Sequence, residues 1–163
     1  MLEVFEIAED SYRLLDGRGR DVGWIRGGAL GFGGFRTEAD ALTAAAVGHQ
    51  ALAAHLRRSF GAPMLSSDPG APLRVVHDGA DDWISRGAQP LARLFRPGEA
   101  RRADGHDATY RVEFVVPSYV RAGALIAAAQ QLHRAIQAPA SPTNAGAASG
   151  ERTSAAGPAL DAR

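Results

Sequence analysis

A short frame that occurs twice constrains this chain more than any other feature. Trp24-Ile25-Arg26-Gly27-Gly28-Ala29 is echoed by Trp83-Ile84-Ser85-Arg86-Gly87-Ala88. Each copy is followed by an alanine-rich stretch carrying the string Ala-Leu-x-Ala-Ala-Ala, at 41–46 and again at 124–129. The expectation is an α+β fold: an antiparallel β-sheet packed against two alanine-rich helices, as a pseudo-twofold β-β-β-α duplication. The spacing is unequal. Trp24 lies 17 residues before Ala41 and Trp83 lies 41 before Ala124, so the second half is expected to hold an insertion of 24 residues, assigned to the loop 86–108.

The elements follow from alternation and punctuation. Glu3 to Ala8, Tyr12 to Asp16, Asp21 to Arg26 and Leu30 to Phe35 read as strands, with Gly17-Arg18-Gly19-Arg20 as the reversal that needs positive φ. Thr37 is a helix N-cap with Asp40 three residues on, and the helix runs from Glu38 to Ser59. Its apolar stripe is Leu42, Ala45, Ala46, His49, Leu52, Ala53 and Leu56. Leu73 to His77 and Trp83-Ile84 are further strands, while Gln89 to Phe95 fits a strand or a helical turn equally. Tyr110 to Val116 alternates most cleanly, and a second helix is expected over 119–137. The domain reading is therefore 1–60 as a first half, 61–72 as linker, 73–137 as a second half and 138–163 as a tail. That tail is Pro, Ser, Thr, Gly and Ala; it offers too little apolar surface to offset about 1 to 2 kcal/mol of backbone entropy per residue, and is expected to be disordered.

Composition removes whole classes of chemistry. The chain has 163 residues, no cysteine and no lysine; its 18 basic residues are all arginine and balance 18 acidic ones. Thiolate nucleophiles, cysteine zinc sites, Schiff bases and Walker-type phosphate loops are excluded. A zero net charge supplies no global field for a phosphate backbone, so nucleic acid is an unfavoured partner. No apolar run is long enough to span a bilayer, and the acidic N-terminal residues do not read as a signal, so a soluble, cytoplasmic protein is expected. Arginine without lysine, amid alanine and glycine, has the look of a GC-rich, actinobacterial-like genome.

Candidate sites are sparse. His49 interrupts an apolar stripe; it reads as a hydrogen-bonded, half-buried imidazole, with a ligand or acid–base role as the alternative. His77, Asp78, Asp81, Asp82, His106 and Asp107 are oxygen and imidazole donors that could hold a metal, yet all stand beside turns without helical ligand spacing. Arg86, Arg93, Arg96, Arg101 and Arg102, near Trp83 and Phe95, have the basic and aromatic character of a single-strand nucleic-acid surface, or of a solvated loop. The glycines at 31, 33 and 34 fail the dinucleotide-binding pattern. Nothing calls for a cofactor.

Phe35-Arg36-Thr37-Glu38-Ala39-Asp40-Ala41, after a three-stranded meander, loosely resembles the sheet-to-helix joint of small three-stranded-sheet-plus-helix domains, among them DNA-binding domains of the integrase arm type. Their sheet face is basic. Here Arg13, Arg18, Arg20 and Arg26 are partly offset by Asp16 and Asp21, so the likeness implies no function. The expected function is non-enzymatic binding or assembly as a homodimer, through alanine-rich helices or exposed sheet edges, with a further protein partner allowed. The alternatives are a small-molecule-binding protein or weak metal-assisted hydrolase around His49, His77 and the cluster Asp78, Asp81 and Asp82, and a nucleic-acid module using the 86–102 arginine segment, with Arg93, Arg96, Arg101 and Arg102.

Overall fold

The computed structural model describes residues 1–61, 70–97 and 109–138. Eight strands form a single antiparallel sheet: β1 (Glu3–Ala8), β2 (Ser11–Leu15), β3 (Asp21–Arg26), β4 (Ala29–Phe35), β5 (Leu73–Asp78), β6 (Asp81–Arg86), β7 (Gln89–Phe95) and β8 (Tyr110–Val115). Helix α1 (Glu38–Phe60) follows β4, and helix α2 (Ala122–Gln137) follows β8. Gln89–Phe95 is thus a strand, and it lies inside the segment 86–108 that sequence reasoning assigned to an insertion. The expected linker and tail fall mostly outside the described residues.

Local chemistry sets the boundaries. Between β2 and β3 the Asp16 carboxylate accepts from the backbone N–H of Arg18 at 2.8 Å and of Arg20 at 3.0 Å. Gly19 takes φ 73° there, the left-handed conformation that glycine enters without strain. Thr37 Oγ1 accepts from Asp40 N at 3.1 Å, and Gly61 ends α1 in a left-handed cap. Helix α2 begins three residues later than expected, because Val120 N first turns back to Pro117 O at 3.0 Å.

The sheet order is β1-β2-β3-β4-β8-β7-β6-β5. It reads the same from either edge, with β4 against β8 at the centre. Each half therefore contributes four strands and a helix: β1 is the strand read at Glu3 to Ala8, and β7 fills the supposed insertion. The order also corrects the internal match. It equates β3 with β7 and β2 with β6, whereas Trp24 is on β3 and Trp83 on β6, so the echoed frame aligns hairpins that are one strand out of step. The better match is β1-β2 with β5-β6. Leu14 and Ile84, 70 residues apart, are both fully buried.

Both helices lie on one face and touch each other. Helix α1 packs chiefly on β7 and β8, strands of the other half, and α2 ends beside the β2–β3 turn. Gly48 sits at the crossing: a methyl there would come within 2.8 Å of Phe114 and 2.9 Å of Leu132. The buried side of α1 is Ala41, Ala44, Ala45, Gly48, His49, Leu52, His55 and Leu56. It is rotated slightly from the expected stripe, because the closest contacts fall on the smallest residues. The core joins these to Leu14, Ile25, Leu30, Ile84, Leu94, Val112 and Phe114 from the sheet and to Leu125, Ala128, Ala129 and Leu132 from α2.

Candidate functional site

Strand alternation gives Ile84, Ala92, Leu94, Val112 and Phe114 to the helix side, and the residues between them to a face that neither helix covers. The cross-strand registers place eight of these in one lateral row: Phe5, Arg13, Trp24, Gly31, Glu113, Arg93, Trp83 and Val76, one from each strand from edge to edge. Both tryptophans of the echoed frame thus share a row, although their strands are not equivalent.

The row is paved flat. Gly31 has no side chain, and the Trp24 indole lies over it where any larger residue would collide. Gly33 likewise accommodates the stem of Arg111, whose guanidinium carbon stands 5.5 Å from the centre of the Trp24 ring. Arg93 lies 5.2 Å from the centre of the Phe95 ring; it pairs with Asp81 and approaches Glu113 at 3.9 Å. Arg13 pairs with Asp21 at 3.1 Å. Around these stacks Phe5, Ile7 and Val115 are 50%, 52% and 62% exposed.

The predicted donors divide between the two faces. Asp81 and Asp82 are consecutive, so they point oppositely: Asp81 meets Arg93 on the uncovered face, while Asp82 meets His77 and Arg96 at the β5–β6 edge. Asp82 engages His77 Nδ1, and Arg96 Nη2 lies 3.5 Å from His77 Nε2. The two ring nitrogens of His77 thus face a carboxylate and a guanidinium. Asp78 is exposed. His106, Asp107, Arg101 and Arg102 lie outside the described residues. Among the described residues, no three His, Cys, Asp or Glu side chains could hold a metal together, and no helix is long and apolar enough to cross a membrane.

His49 stands apart from that cluster, on the wall of a cavity of about 360 Å³ formed by α1, the start of β7 and the segment after β8. A bulge at Ile84/Ser85 lets Leu91 turn towards α1 and line it with Leu52, Phe114 and Val116. Burial holds the His49 pKa below its ordinary value, with the nearby Arg86 charge acting in the same direction. The other half has a more open, polar depression at the β2–β3 turn, bordered by His133, Arg18, Arg134 and Asp16. Burial lowers the His133 pKa as well. Sequence reasoning passed over His133, and also His55, which is buried with Nε2 lacking a hydrogen-bond partner among the described residues. The helical spacing 41, 45, 48, 52, 55 would have exposed the second.

Comparison with known proteins finds no matching family model, no matching curated protein and no matching solved structure.

Proposed function

We propose that this is a binding and assembly protein whose uncovered sheet face meets the same face of a second copy. The paved row of tryptophans, arginines and glycines carries the reading. Trp and Arg dominate interface hot spots because they offer large, rigid contact surfaces with a polar handle. Arg13, Arg93 and Arg111 balance Asp21, Asp81 and Glu113 on this face, and an isologous interface requires such self-complementarity. Eight strands about 4.8 Å apart and about 20 Å long present roughly 700 Å², close to the roughly 800 Å² per partner of a standard interface. The alanine stripes are a weaker choice of contact, since within the chain they face the sheet and each other.

The alternatives draw less support. The hydrolase reading joined His49 to His77, and the two lie apart, His49 on the cavity wall and His77 beside Asp82. A nucleic-acid surface would need unpaired cations, and Arg93 and Arg96 already face carboxylates. Sedimentation equilibrium decides the matter. The wild type should be a dimer at tens of micromolar, and Val115→Asp and Phe5→Arg should be monomers with an unchanged melting temperature. A monomeric wild type, or dimeric variants, would falsify the reading.

A further inference from the structure

Among the described residues that line the cavity beside His49, none is acidic and none is an arginine. Leu52, Leu91, Phe114 and Val116 make its walls apolar, and Pro90 and Pro117 add flat rings. His49 is the buried polar group of this lining, 8% exposed. It makes no hydrogen bond among the described residues. Neither of its ring nitrogens is sealed off as Nε2 of His55 is, so the imidazole opens onto the cavity it lines. Its pKa is held below 6.5 by burial and by the Arg86 charge, so the ring is uncharged at neutral pH. A neutral imidazole has one donor and one acceptor, and leaving both unmet in an apolar site is costly.

We infer that this cavity binds a small uncharged phenol, its ring held among Leu91, Phe114 and the two prolines and its hydroxyl donating to the His49 imidazole. The hydroxyl is the matching group, because the apolar wall takes the ring and His49 is left with an acceptor to fill. A carboxylate is the wrong one: it would lose its hydration against a wall that carries no cation, since Arg86 is not part of the lining. A cavity of about 360 Å³ lies at the small end of ligand sites and suits a single ring. Val115 lines this cavity and also stands on the assembly face, so the two sites adjoin and the experiment must separate them.

The test titrates the full chain by calorimetry with 4-ethylphenol and with its isomer 4-methylanisole, which has the same atoms and no hydroxyl donor. The phenol should bind one per chain, about tenfold more tightly than the ether. His49→Leu should erase that difference while leaving ether binding in place, and Leu91→Trp should fill the cavity and remove both. Should Leu91→Trp not fold, wild-type NMR replaces it: ring protons of the phenol should show NOEs to the Leu91 and Val116 methyls. Phe5→Arg, on the far edge strand, should bind the phenol as the wild type does; loss of binding there would move the site to the dimer interface and overturn the cavity assignment. A monomeric wild type that still binds would remove the assembly reading and leave this inference standing. No binding at millimolar phenol overturns the inference, as does equal affinity for phenol and ether, or NOEs to other methyls. Tighter binding of 4-methylbenzoate than of 4-ethylphenol overturns the uncharged assignment.

Discussion

The two faces of this sheet are built from the same strands and differ in what lies against them. On the helix side, side chains interdigitate: Gly48 exists to let Phe114 and Leu132 meet, and Leu14, Ile25 and Ile84 are sealed from water. On the other side glycines serve the opposite purpose, letting Trp24 and Arg111 lie down on the backbone. Close packing makes one face sensitive to a single methyl, whereas the paved face should tolerate change and lose only what it binds. Stability should therefore be concentrated on one side and recognition on the other.

That contrast can be broken at several points. Phe114→Ala, at the centre of the helix side, should cost about 3 to 5 kcal/mol in urea unfolding. A cost below that of a surface change would mean the core lies elsewhere. Gly48→Ala should cost about 1 to 3 kcal/mol from overpacking, less the roughly 1 kcal/mol that alanine gains over glycine in a helix; a stabilised variant would show that the crossing has slack. Val115→Asp, 62% exposed, should change unfolding by no more than about 0.5 kcal/mol while abolishing the dimer.

Smaller effects should appear only on acidification. His49 and His133 have folded pKa values below 6.5, so protons prefer the unfolded chain and stability falls as pH drops below 6.5. His49→Leu should flatten that limb, and an unchanged slope between pH 7 and 5 would remove His49 from the account. Asp16 has the opposite sense of charge. Hydrogen bonds from Arg20 and Arg18, together with the Arg20 charge, lower its pKa to about 2. Its contribution is present above pH 3.8 and is lost as pH falls towards 2, a loss that Asp16→Asn should not show.

The elements themselves were largely legible. Strands and helices fell within a few residues of their alternation and caps, since those signals are local: Thr37 and the Tyr110–Val115 alternation need no tertiary partner. The register between strands is not local, and with it went the lateral row that joins Trp24 to Trp83 through Gly31 and Arg93. The echoed frame misled for the same reason, because two Trp-containing hairpins look alike whichever strands they join. His49 was visible as a polar break in a stripe. Its separation from His77 was not, since their distance depends on where α1 lies across the sheet.

The crossing of α1 onto β7 and β8 has a consequence for synthesis. When the first four strands and α1 have left the ribosome, the helix has almost nothing to cover, and β4 lacks the neighbour that β8 will supply. The central pair forms only after some fifty-five further residues are made. Until then an apolar helix and an open strand edge are in solution together, a state that invites the wrong partner. Neighbouring chains on one message would be the nearest candidates, and a half-made copy could accept the second half of another molecule in place of its own.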